Sequence, residues 1–139
     1  MIVSLEIAKL LKKLGFDINC KVCYNSKGEK EQSFDYINDY FESEDIKQAE
    51  ENTGEPHYLA PTYYEVQKWL RTHNIHVNPI ISYSTPQMGG TFMKGYACTV
   101  EVFSDKGKCL GNWTKGITKR KTYEESLEQG ILEGLKHVK

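Results

Sequence analysis

Four cysteines and four histidines are the residues of this chain best suited to chemistry, and their spacing limits what they could do. Cys20-x-x-Cys23 has the spacing of half a zinc site, for which Cys98 and Cys109 would have to supply the rest. A hairpin turning through Asp105-Lys106-Gly107-Lys108, with Lys106-Gly107 as a two-residue loop, sets Cys98 opposite Lys115 and Cys109 opposite Ser104. Those two sulfurs are then ~17 Å apart along the sheet, whereas zinc holds each sulfur at about 2.3 Å. Cys20 and Cys23 stand an odd number of residues apart on an expected strand and point to opposite faces, which also argues against a site shared with His73 and His76. A redox Cys-x-x-Cys should open a helix beside a parallel strand. This one lies inside a strand, so we expect buried thiols, no metal and no cofactor.

Nucleophile and phosphate signatures are absent as well. There is no Gly-x-Ser-x-Gly elbow, no Gly-x-x-x-x-Gly-Lys loop and no His-Glu-x-x-His. His73 at a helix C-terminus and His76 just after it suit the helix dipole and edge packing. No catalytic residues are assigned, and the expectation is a protein that is not an enzyme. Two other groups could bind. Met88, Phe92 and Met93 offer apolar surface on a glycine-hinged loop over residues 84–94, beside an open sheet face. Lys115, Lys119, Arg120 and Lys121 collect before the last helix, where free backbone amides favour anions.

The elements that position these groups are written in caps and periodicity. Pro61 precedes Thr62, whose hydroxyl and Glu65 form a capping box; Val66, Trp69, Leu70 and His73 follow on one stripe, and Asn74 suits a left-handed cap. A second Thr-Tyr-x-Glu box at Thr122 and Glu125 opens a helix with Leu127, Ile131, Leu135 and Val138 on one face. Between them, strands are expected over 75–83, 96–104 and 109–115. Ile75, Val77 and Ile81 share one side of the first, where Pro79 indicates an edge or a bulge. The register puts Val100 with Trp113 and leaves Thr99, Glu101, Asn112 and Thr114 on the outer face. Upstream, Ser4 caps a helix bearing Ile7, Leu10, Leu11 and Leu14, ended by Gly15. A strand over 18–24, a turn at Asn25-Ser26-Lys27-Gly28 and a return strand near 32–36 make a hairpin.

The fold class is α+β: a three-stranded antiparallel sheet with two helices on one face, α-β-β-β-α, preceded by a helix plus β-hairpin unit. We divide the chain into a helix and hairpin unit over 1–37, an acidic connector over 38–59 and the α-β-β-β-α domain over 60–139, together one compact body. The net charge of −1 conceals segregation: residues 1–28 carry five Lys against two acids, and residues 29–55 carry ten acids against two Lys. The connector reads as a long solvated loop with a helical turn near 45–51, its start pinned by Phe34, Tyr36, Tyr40 and Phe41. No apolar run is long enough to span a bilayer, and a cytoplasmic protein is expected.

Two resemblances bear on function. The order of elements over residues 61–138, with Lys119, Arg120 and Lys121 before the last helix, is similar to the double-stranded-RNA-binding domain, in which lysines opening the last helix meet phosphates. Glu124 and Glu125 stand in the first turn where that family has lysines. In sequence, the segment 60–71 (Ala-Pro-Thr-Tyr-Tyr-Glu-Val-Gln-Lys-Trp-Leu-Arg), Asn74-Ile75-His76-Val77 and Tyr123-Glu124-Glu125-Ser126-Leu127-Glu128 resemble short uncharacterised proteins of gut Bacteroidales and their phages or mobile elements, as do Ser4-Leu5-Glu6-Ile7 and Gly15-Phe16-Asp17. That resemblance implies a small accessory protein and supplies no catalytic residues. The expectation is a non-enzymatic protein-binding module using Met88, Phe92 and Met93 toward an unknown protein partner. The alternatives are duplex RNA or DNA binding through Lys115, Lys119, Arg120 and Lys121, and a homo-oligomer, such as a homodimer, built on a sheet edge. No membrane role is expected.

Overall fold

Each helix begins where a side chain meets an amide that has no partner inside the helix. In the computed structural model, which describes residues 1–32, 40–84, 93–118 and 122–139, α1 (Leu5–Lys13) is capped by Ser4, whose Oγ accepts from Ile7 N at 3.4 Å. Helix α2 (Ser43–Thr53) follows Glu42, whose amide donates to Asp45 Oδ2 at 2.8 Å. For α3 (Tyr63–Thr72) the capping box is complete: Thr62 N donates to Glu65 Oε2 at 2.7 Å, and Glu65 N donates to Thr62 Oγ1 at 3.2 Å. Thr122 Oγ1 accepts from Glu125 N at 3.1 Å and opens α4 (Tyr123–Leu135). Asn74, with φ +59°, ends α3 in the left-handed region as its type allows.

The chain divides into two compact units, Met1–Val66 and Gln67–Lys139, with the division inside α3. In the first, β1 (Val22–Tyr24) is the central strand between β2 (Lys30–Gln32) and β3 (Tyr58–Leu59), all antiparallel. Its core holds Val3, Ile7, Leu11, Cys20 and Leu59, and the Tyr24 hydroxyl donates to Val3 O at 2.8 Å. Three expectations are corrected here. The strand expected over 18–24 is interrupted by a bend at Lys21: Cys20 pairs alone with Phe41 before β1 begins. Strand alternation therefore does not carry through the Cys-x-x-Cys pair, and both thiols are buried. The return strand begins earlier than expected, at Lys30, and includes Gln32; the rest of the expected span, with Phe34 and Tyr36, falls outside the described residues.

The acidic stretch is also more regular than a loop with one helical turn. Its Glu, Lys, Gln and Ala residues favour helix, Gly54 supplies the left-handed terminator at φ +70°, and Ile46 buries on the unit. Lys12 Nζ reaches Glu50 Oε1 at 2.5 Å and His57 O at 2.9 Å, which ties α2 and the following chain to α1. With only one buried aliphatic residue, this helix carries little of the apolar periodicity by which helices are read.

In the second unit β4 (Ile75–Ser84), β5 (Met93–Phe103) and β6 (Cys109–Thr118) form an antiparallel sheet in that order. With α3 before them and α4 after, the expected α-β-β-β-α order is observed. Val100 faces Trp113 and Cys98 faces Lys115 in register, as the alternation requires. The hairpin turn differs from the expected two-residue loop. Only Gly107 has positive φ, at +81°, whereas a two-residue turn of the commonest kind needs it at both central positions. The chain turns through Ser104 to Lys108 instead, and Cys109 lies opposite Phe103, not Ser104.

Helix α4 sits unusually close to this sheet. A Cβ at Gly130 would collide with Cys98 Sγ and come within 2.8 Å of Cys98 Cβ and 2.9 Å of Val77 Cγ1. One at Gly134 would meet Val77, Ile75 and Leu70 at 3.1–3.3 Å, which places Leu70 of α3 on the same sheet face as α4. The two glycines are one helical turn apart, so the helix backbone itself forms the contact. Val138, expected on the stripe, lies beyond the helix end. Ile81, expected with Ile75 and Val77, is 51% exposed. Strand β4 is an edge: Val77 O is taken by Gln67 Nε2 at 2.9 Å, and Pro79, two residues on, shares that outward side, where its missing N–H costs no ladder bond. No helix among the described residues is long and apolar enough to cross a membrane.

Candidate interaction surface

The face of the second sheet turned away from α4 gathers residues from all three strands. His76 and Asn78 of β4 stand opposite Glu101 and Thr99 of β5, which stand opposite Asn112 and Thr114 of β6. Period-2 alternation is the reason: once Val77, Cys98 and Val100 are buried under α4, their neighbours must face outward. Thr99 Oγ1 donates to Asn78 O at 3.3 Å, and the rings of His76 and Phe103 meet edge to face at 5.3 Å and 87°. Asn78, Asn112 and Thr114 are exposed, and Ile80 is 41% exposed. At the turn end lies a shallow depression of about 360 Å³ bordered by His76, Asn78, Glu101, Phe103 and Asp105. Asn74 Nδ2 donates to Asp105 Oδ1 at 2.9 Å, so the α3 cap also holds the turn that frames this depression.

The groups presented are amides, hydroxyls, an imidazole, a carboxylate and an aromatic ring. Such a set hydrogen-bonds and stacks. Desolvation pushes Cys98 up to about 12 and Cys23 to about 11, the latter helped by Glu31; Cys20 is raised to about 12 by desolvation, then by Glu65 and Cys23. Thiols in that range are protonated near neutrality. Among the described residues no three His, Cys, Asp or Glu side chains form a metal-holding group.

The residues singled out from sequence are distributed as follows. Met88 and Phe92 lie outside the described residues. Met93, expected in the loop, opens β5 opposite Ser84, because the β4–β5 ladder runs farther than the alternation in the sequence shows. Lys115 lies inside β6, which continues to Thr118, while Lys119, Arg120 and Lys121 fall outside the described residues just before the Thr122 cap. Sequence reasoning found Thr99, Glu101, Asn112 and Thr114 and missed Ile80 and the His76–Phe103 pair. The signal was the same alternation, carried across to β4. Comparison of the chain with family models, with curated proteins and with solved structures found no match.

Proposed function

We propose that the chain is a non-enzymatic protein-binding module, of the small accessory kind that its resemblance to phage and mobile-element proteins implies. Its binding surface is the outward face of the second sheet together with Met88, Phe92 and Met93. The supporting observation is the composition of that face. A solvated antiparallel face ordinarily carries polar groups, yet Ile80 is 41% exposed here and the His76–Phe103 pair interrupts the polar rows. Those are the groups a partner would desolvate.

Site-specific photo-crosslinking in cells tests this. A crosslinker at Asn112 should yield one discrete adduct that disappears with Ile80→Arg, while a crosslinker at exposed Gln48 on α2 should not yield it. Equal adducts from both positions would defeat the proposal. The double substitution Met88→Ser, Phe92→Ser should abolish the adduct and leave the thermal midpoint nearly unchanged.

A nucleic-acid reading draws on the α-β-β-β-α order and on Lys119, Arg120 and Lys121 directly preceding the Thr122 cap. Polarisation titrations with labelled duplex RNA, duplex DNA and single strands separate it from the first reading. Affinity that falls steeply with salt, and is lost when those residues and Lys115 are neutralised, would favour nucleic acid. Light scattering on the same samples reports whether the protein is a homo-oligomer.

A further inference from the structure

The outward face of the second sheet has a single carboxylate among its cross-strand rows. Glu101 of β5 stands opposite His76 of β4 and Asn112 of β6. Its other neighbours on the face, Asn78, Thr99 and Thr114, carry no charge. Among the described residues Glu101 takes part in no ion pair and no side-chain hydrogen bond. It is half-buried, and a carboxylate that gives up hydration without gaining a cation carries a cost that a partner's cation would offset.

The surroundings of Glu101 select among cations. Asp105, the second carboxylate bordering the depression, is held by Asn74 at 2.9 Å, and no Lys or Arg side chain of the described residues lines the space between the two acids. Lys106 and Lys108 of the turn are exposed and pair with neither acid. Beside Glu101, the rings of His76 and Phe103 meet edge to face and supply aromatic surface. A guanidinium is planar and weakly hydrated, grips a carboxylate through paired N–H groups and stacks on rings, whereas an ammonium is a compact, strongly hydrated charge. We propose that the partner inserts an arginine side chain here, its guanidinium paired with Glu101 and lying against the His76–Phe103 pair. The inference rests on the reading that this face binds a protein, and it names that partner's chemistry: a basic segment presenting arginine.

The test is an NMR titration of the full chain with end-blocked peptides in which glycine flanks arginine, lysine or citrulline, the last a neutral isostere of arginine. The arginine peptide should give saturable amide shifts centred on His76, Glu101 and Phe103, the lysine peptide weaker ones, and the citrulline peptide none at equal concentration. Glu101→Gln keeps the shape of the side chain, removes its charge and should weaken arginine binding by about tenfold or more. Shifts that lie elsewhere, that do not saturate, that are as large with citrulline, or that survive Glu101→Gln undiminished would overturn the proposal. The crosslinker at Asn112 separates its failure from that of the face. An adduct that persists in Glu101→Gln keeps the face and removes the arginine, whereas no adduct from the otherwise unchanged protein removes both.

Discussion

The turn Asn25-Ser26-Lys27-Gly28-Glu29 and the turn Ser104-Asp105-Lys106-Gly107-Lys108 are nearly the same piece of chemistry, yet the hairpins they close are very different. In each, the first residue's amide donates to the carbonyl of the last, at 2.9 Å and 2.8 Å, and the glycine amide donates back to the first carbonyl, at 3.0 Å and 2.9 Å. The glycines take φ +79° and +81°. The first side chain secures the loop in both: Asn25 Oδ1 accepts from Lys27 and Glu29, and Ser104 Oγ accepts from Lys108. The strand that leads into one turn, β1, is three residues long and begins after a bend at Lys21, whereas the strand that leads into the other, β5, has eleven. Cover makes the difference. The longer ladder is buried on one side by α4, which Gly130 and Gly134 bring into direct contact, whereas Lys30, Glu31 and Gln32 of β2 are all exposed. A turn starts a hairpin, but burial decides how far it extends.

The strongest way to break this contrast is to push α4 off its sheet. Gly130→Val must displace Cys98 and Val77, and we expect a loss of about 3 kcal/mol in urea unfolding, the upper end of ordinary overpacking. Adding Cys98→Ala should restore part of it; no restoration would mean the strain lies elsewhere.

Next come the turn glycines. Gly107→Ala has open space around the new methyl and should cost only the left-handed penalty, about 1–2 kcal/mol. Gly28→Ala carries the same penalty and also meets Leu5 Cδ2 at 3.2 Å, so it should cost somewhat more. Equal losses at both sites would show that Leu5 gives way.

A comparable effect concerns pH. A thiol raised from 9.0 to about 12 stays protonated in the folded protein while the unfolded chain ionises. Stability from Cys98 is therefore complete below pH 9 and declines as pH rises from 9 toward 12. Cys98→Ala should flatten part of that decline in urea midpoints measured at pH 8 and pH 10.5, and Cys20 and Cys23, raised likewise, contribute to it as well. In the native protein at pH 8, alkylation should reach exposed Cys109 and spare the three buried thiols.

Much of the chain was legible in advance wherever the physics is local. Ser4, Thr62 with Glu65, and Thr122 signal helix starts because the groups they satisfy lie within one turn. Asn74, Gly28 and Gly107 signal reversals because few residues tolerate positive φ. Alternation along β5 and β6 yielded both the buried face and Thr99, Glu101, Asn112 and Thr114 on the open one. Helix α2 was less legible, since Ile46 is its one buried aliphatic residue and its hold on α1 runs through Lys12 and Glu50, far apart in sequence.

What the sequence by itself determined, then, are the caps, the places of the turns, the α-β-β-β-α order and the register of β5 against β6 away from the turn, each set by interactions between near neighbours or by a period of two. Tertiary structure alone decided the bend at Lys21 between Cys20 and Cys23, the close seat of α4 through Gly130 and Gly134, the extent of β4 into Ser84, and the tie of α2 to α1 through Lys12 and Glu50. Those depend on which distant surfaces meet and how closely their atoms pack, and pairwise packing of that kind leaves no periodic trace along the chain.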